Sequence, residues 1–330
     1  MKIVLDAMGS ENMPVADVTG AVEAARLYPN DEIILVGRQS LIEAELGNHQ
    51  TTGLNLTVVH AEELIEMSDK PREIVRGKPN SSMHIGLNLV KEGKGDAFVS
   101  MGNTGCTLAV SMLATLRRIP GVKRPAIGAI FPLPARPILL DNGANADCQA
   151  EYLYQFGIMG SIYASCVTGK ARPTVGLVSN GEEDGKGNEL VKEAGKLLAE
   201  SSLNFVGNIE PKDFMSGEID VAIADGFVGN IMLKTAEATA RTLTGLIRSE
   251  LKTGVLSSVG GMLARPALRR VGAMLDPDEV GGAPLLGVNG VVIIGHGSSG
   301  SKAVRNAIGQ AREAVEFGVV DAIKQGIESG

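Results

Sequence analysis

The sequence has no tryptophan, and aromatic residues make up only 3% of its 330 positions. A surface built to stack nucleobases among clustered cations is therefore not provided for. The formal net charge of −7 points the same way, and no nucleic-acid partner is expected. Cysteine is scarce. Cys106, Cys148 and Cys166 show neither metal-ligand spacing nor a disulfide framework, which predicts a reducing, cytoplasmic setting. No H-E-x-x-H and no cysteine pair offers a zinc site, so no metal is expected. No apolar run approaches the ~20 residues that cross a bilayer. The opening MKIVLDAMG reads as a first strand rather than a leader, having one Lys and only a short apolar run.

What is abundant is apolar residue, at 44%, and glycine, at 42 residues. That combination suits a large core with many tight turns. Strand-like runs at 2–5, 33–36, 54–59, 97–100, 126–131, 137–141, 174–178, 203–206, 221–224 and 291–294 alternate with helical stretches. The alternation predicts an α/β fold: a largely parallel sheet with helices on both faces. The stretch from Lys70 to Met83 reads as a basic polar loop leading to a helix, with Ser81 or Ser82 as its cap. A helix carrying Leu108, Met112 and Leu116 is expected to run to about Arg118, and one from Ile231 towards Leu251. A single helix is expected after the last strand.

Three strands end in the same way. Ala97–Ser100 runs into Gly102-Asn103-Thr104-Gly105. Ile138–Asp141 runs into Gly143-Ala144-Asn145-Ala146-Asp147, and Val221–Asp225 into Gly226-Phe227-Val228-Gly229-Asn230. A strand turning directly into a helix aims unpaired N–H groups at one point, and small residues let an anion approach it. Parallel strands are expected to deliver all three corners to one edge of the sheet, and so to a shared cleft.

Other loops test negative for familiar chemistry. Ser179–Asn188 contains Lys186 among glycines but does not fit G-x-x-x-x-G-K-[ST]. Gly295-His296-Gly297-Ser298-Ser299-Gly300 matches G-x-G-x-x-G, yet no later strand supplies the acid that binds a ribose. No cofactor is expected. With no G-x-S-x-G and no nucleophile signature, the cleft reads as a holder of anions, in which a bound anion attacks a carbonyl. Two cationic stretches stand apart. Arg117, Arg118, Lys123 and Arg124 surround a Pro-Gly turn. In 251–275, the apolar Val255, Leu256, Val259, Met262 and Leu263 alternate with Gly and Ser beside Lys252, Arg265, Arg269 and Arg270. This second stretch suits either an anionic lipid surface or a second subunit.

The motifs together resemble the PlsX-type bacterial phosphate acyltransferases: DAMG at 6–9, NSSM at 80–83, GNTG at 102–105, LLDNGAN at 139–145, Lys186-Gly187-Asn188, DGFVGN at 225–230 with Leu233-Lys234, GGAPLLG at 281–287 and HGSS at 296–299. They occur in family order over nearly the whole chain. The resemblance implies one catalytic α/β domain over 1–330. Its fold would be a three-layer α/β/α sandwich similar to isocitrate and isopropylmalate dehydrogenases, with 251–275 as an inserted helical tip. It also implies that inorganic phosphate attacks a long-chain acyl carrier protein thioester, and that the acyl phosphate feeds a membrane glycerol-3-phosphate acyltransferase in phosphatidic acid synthesis. A homodimer attached peripherally to the inner face of the cell membrane goes with it. Lys186, Asn230 and His296 are the expected catalytic groups. Ser82, Asn103, Thr104, Gly105, Asp141, Asn145, Asp147, Asn188, Asp225 and Ser298 are expected to bind phosphate or substrate, or to orient the groups that do. The competing enzymatic reading is a phosphotransacetylase-like enzyme that takes acyl-CoA. Two departures from the family pattern are Ser10-Glu11 in the first loop and Val280 before Gly281-Gly282.

Overall fold

Eleven strands form one sheet in this computed structural model, which describes residues 1–274 and 276–329. In chain order they are β1 Lys2–Asp6, β2 Glu32–Gly37, β3 Leu56–His60, β4 Ala97–Ser100, β5 Ala126–Ile130, β6 Ile138–Leu140, β7 Thr174–Val178, β8 Asn204–Ile209, β9 Val221–Ile223, β10 Ala283–Leu286 and β11 Val291–Ile294. Their order across the sheet is β3-β2-β1-β4-β11-β10-β5-β6-β9-β7-β8. Most pairings are parallel. β4, β5, β6 and β9 are buried along their whole length, as strands covered on both faces must be.

The three antiparallel pairings lie together, at β11–β10, β10–β5 and β5–β6. They reverse the sheet. β1–β4 and β11 run one way, whereas β6, β9, β7 and β8 run the other. This corrects the expectation of one common edge. The corner after β4 and the corners after β6 and β9 belong to oppositely directed halves. They meet only where β5 and β10 form the seam. β10 itself, inside GGAPLLG, was not foreseen as a strand.

Several helices also differ from expectation. The stretch expected as a loop from Lys70 holds a short helix, Pro71–Gly77, with proline in its first turn. The helix after β4 spans only Thr104–Ala109 and then widens into a π turn, Val110–Ala114, short of Arg118. The helix expected from Ile231 begins at Gly226, because the Asp225 carboxylate accepts the Val228 N–H and caps it there. Two helices follow β11, Ser301–Glu316 and Val319–Ser329.

The helices Gly226–Glu250 and Val255–Met274 make a hairpin, with Leu251 packed over Gly261. At ~1.5 Å per residue the first is about 37 Å long. Leu275, the last residue of the expected tip, lies outside the described residues. Val255, Leu256, Val259, Met262 and Leu263 are all exposed, Leu256 at 86% and Leu263 at 79%. Among the described residues no helix is long and apolar enough to cross a membrane.

Near the end of β1, two carboxylates are buried together. Asp17 accepts the Ser10 hydroxyl at 2.6 Å with one oxygen, and its other oxygen has no hydrogen-bond partner. Burial, opposed by the Ser10 hydroxyl and reinforced by the nearby Asp6 charge, pushes Asp17 up to about 7. A carboxyl raised in the folded state stabilises least once ionised, so its penalty grows as pH rises from about 4 through about 7. Asp17→Asn keeps an acceptor for Ser10 and removes the ionisation. Its Tm should match wild type near pH 4, exceed it increasingly as pH rises towards 7, and keep a constant advantage above that, of up to about 4 kcal/mol of stability. A difference in Tm that stays flat with pH would count against this account of Asp17.

Candidate active site

Where the two halves of the sheet meet, a cavity of about 410 Å³ opens over β5 and β10. Both halves supply its polar rim. Thr104 and Gly105 come from the corner after β4, and Gly295 and His296 from the corner after β11. Asn142 and Gly143 come from the corner after β6, and Asn230, Lys234 and Glu237 from the helix after β9. The rest of the wall is apolar and includes Leu108, Phe131, Leu133, Met215, Leu233 and Ala240. Phe131 is held by Phe214, edge to face at 4.8 Å between ring centres.

Four of the predicted residues thus share the cavity: Thr104, Gly105, Asn230 and His296. Gly143 has φ +136°, a backbone conformation suited to glycine, and its open side leaves room for the Asn230 amide. Gly229 is confined more tightly. A Cβ there would stand 2.0 Å from the Asp141 carbonyl oxygen, so the helix carrying Asn230 lies directly on the corner after β6.

Beneath the rim, several predicted residues serve the backbone. Asp141 is fully buried and accepts four hydrogen bonds: from the N–H groups of Ile127, Ala144 and Asn145, and from the Asn145 amide, at 2.7–3.2 Å. Burial pushes its carboxyl up, opposed by these donors. Asn145 also donates to the Pro125 carbonyl, and its own carbonyl accepts the Gly226 N–H. The corners after β6 and β9 are therefore tied to one another and to the start of β5.

Asn103 accepts the Cys106 N–H and donates to the carbonyls of Met67 and Asp69. Its side chain caps a helix and pins the 61–70 segment. Asn188 is likewise a cap, accepting the Val191 N–H. Ser82 is buried and bonds to Asp6, while its neighbour Ser81 caps the helix that follows. Asp147 and Ser298 are exposed and do not line the cavity, nor does Lys186. The Lys186 loop leaves β7, which neighbours β9, so it opens on the same edge as Asn142 and Asn230.

Glu237 and the Lys234 side chain were not foreseen in the site. The signal was present: Asn230, Lys234 and Glu237 are spaced i, i+4, i+7 and so share one helix face with Leu233 and Ala240. Among the described residues no group of His, Cys, Asp and Glu could hold a metal ion.

Solved structures of similar shape share the α/β fold. A phosphotransacetylase from Streptococcus pyogenes superposes with TM-score 0.57 at 18% identity, covering 99% of this chain and 94% of that one. A branched-chain phosphotransacylase from Enterococcus faecalis gives 0.59 at 15%, covering 96% and 99%. Sequence goes further. A family model described as "Fatty acid synthesis protein" matches residues 1–322. Phosphate acyltransferases from Pelotomaculum thermopropionicum and Syntrophotalea carbinolica are 47% and 45% identical, over 100% and 97% of this chain and 96% and 92% of their own lengths. The chain belongs to the PlsX-type phosphate acyltransferase family.

Proposed function

We propose that the chain joins inorganic phosphate to the acyl group of a long-chain acyl carrier protein, giving acyl phosphate and free carrier protein. One observation carries the reading. The cavity has a polar rim of amide, hydroxyl, ammonium and imidazole groups that is continuous with an apolar trough. The rim suits phosphate and a thioester carbonyl, and the trough suits an alkyl chain.

In this scheme a phosphate oxygen attacks the thioester carbon. A C–O bond forms, the carbonyl electrons move to its oxygen, and on their return the C–S bond breaks. Asn230, Thr104 and the Gly105 N–H are donors for phosphate or for the developing oxyanion. His296 hands a proton to the departing sulfur. Asp141, Asn145 and Asp225 hold the corners, and Asn103 holds the Thr104–Gly105 turn. Lys186 is proposed as a further phosphate cation. Asp147, Asn188, Ser82 and Ser298 act, in this reading, through the loops that they shape. The product then passes to a membrane glycerol-3-phosphate acyltransferase for phosphatidic acid synthesis.

Purified protein with palmitoyl carrier protein and phosphate should release carrier thiol only when phosphate is present, with an acyl phosphate signal in 31P NMR. Phosphate-dependent thiol release from acyl-CoA but not from the acyl carrier protein would support the phosphotransacetylase-like alternative. The cations around Arg124 are proposed to dock the acidic carrier protein. All four already have partners: Arg117 and Arg118 donate to the carbonyls of Leu113 and Lys123, Arg124 lies over the Tyr152 ring, and Lys123 pairs with Glu151.

A homodimer at the inner face of the cell membrane completes the proposal, with the hairpin as its lipid contact. Its exposed leucines and valines, flanked by Lys252, Arg265, Arg269 and Arg270, suit an anionic interface. Leu256→Glu with Leu263→Glu should abolish co-sedimentation with phosphatidylglycerol vesicles and leave the mass by light scattering unchanged. Persistent co-sedimentation together with a halved mass would assign the hairpin to the subunit contact instead.

A further inference from the structure

Three polar side chains, a carboxylate, an ammonium and an imidazole, form a linked row at the cavity rim. Glu237 Oε1 lies 3.8 Å from His296 Nε2, and Glu237 Oε2 lies 3.2 Å from Lys234 Nζ. All three line the cavity. The carboxylate is the sheltered centre, its side chain 18% exposed, whereas the imidazole and ammonium are each more than half exposed. A Lys–Glu pair one turn apart on a helix is ordinarily solvated and contributes little. Here the pair faces a cavity, and its acid also reaches a histidine delivered by the other half of the sheet. Glu237 thus reaches across the seam, from the helix after β9 to the corner after β11.

We infer that Glu237 is the positioning residue for the leaving thiol. It holds the His296 ring towards the sulfur with one oxygen and fixes the Lys234 ammonium at the phosphate end with the other. The inference rests on the acyl transfer proposed above. As the C–S bond breaks, its electron pair goes to sulfur, and the thiolate takes the proton on Nδ1, the ring nitrogen that Glu237 does not hold. Phosphate loses a proton on being acylated, and that proton restores the ring. The sum is hydrogen phosphate plus thioester giving acyl phosphate plus thiol, with no other reactant.

Glu237 is suited to this because of what else faces His296. Asp278, on the turn before β10, interacts with the imidazole through its charge, and it is itself pulled by Lys302. Lys302 is already paired to Asp276 and Glu279. Glu11 lies beside Gly297. The ring therefore sits among acids, of which Glu237 is the one that also lines the cavity and contacts Lys234.

The test is a steady-state profile from about pH 6 to about pH 9, with palmitoyl carrier protein and phosphate, for wild type, Glu237→Gln, Glu237→Asp, His296→Asn and the Glu237→Gln/His296→Asn double variant. Glu237→Gln keeps the shape and removes the charge. It should lower kcat about 10–100-fold, leave KM for the carrier protein within about threefold, and move the basic limb of the profile to lower pH. Glu237→Asp should recover most of kcat, and the double variant should be no slower than His296→Asn alone. The inference is overturned if Glu237→Gln keeps kcat and its pH profile, or if the two losses multiply in the double variant. An inactive wild type would instead defeat the acyl-transfer reading, so the two failures are told apart by the first curve measured.

Discussion

Asp141→Ala is expected to cost about 3–5 kcal/mol of stability and to lower Tm by roughly 5–15 °C. The size follows from the number of donors left behind. The N–H groups of Ile127, Ala144 and Asn145 and the Asn145 amide all point at one buried carboxylate. Removing it leaves them facing methyl and vacated space. Each unsatisfied buried group typically costs ~1–3 kcal/mol, and the neighbours relax only partly. Asp141→Asn should not rescue the loss. Its amide would present donors to Asn145, whose own donors already occupy that side. The damage should also reach the rim, because the Asp141 carbonyl is packed on Gly229, next to Asn230. Thermal unfolding followed by circular dichroism checks this. A Tm within ~2 °C of wild type would mean that the corner after β6 does not depend on this carboxylate.

The strands were legible because buried parallel strands read as short continuous apolar runs, as in Val99, Leu139 and Ala222. Their direction was not. Whether β6 follows β4 or opposes it depends on how the chain between them returns, and nothing local in Ile138–Leu140 records that. β10 was hidden because Gly281-Gly282 and Pro284 look like turn residues, although Pro284 lies within a strand that bridges the seam. The corners were legible as Gly-Asn turns, but their uses were not. Asn103, Asn188 and Asp225 each accept an N–H from the helix that they begin. The same side chain in the same place suits an anion pocket or a helix cap, and the helix's own N–H groups are nearer than any ligand. Asn230 differs because it lies one turn further along, past the cap, where its amide can face outward. That difference lies in helix phase, and so it was present in the sequence.

Asn230→Ala is expected to lower kcat about 10²–10³-fold while the protein stays folded. The side chain is exposed, lies beside the glycine at 143, and lines the cavity at its polar end. Its loss therefore removes a donor without opening a core. An amide aimed where negative charge develops contributes more to the transition state than to the bound thioester, so kcat should fall more than KM rises. Asn230→Asp sharpens the test. It preserves size but places a carboxylate where phosphate and the oxyanion gather charge, so it should be slower than the alanine variant and should also raise KM for phosphate. If the amide were only a helix-surface group, both variants would turn over within about threefold of wild type. Asparagine at 230 would then have no place in the transfer step. An alanine variant slower than the aspartate variant would show instead that space at this corner, rather than charge, governs the rate.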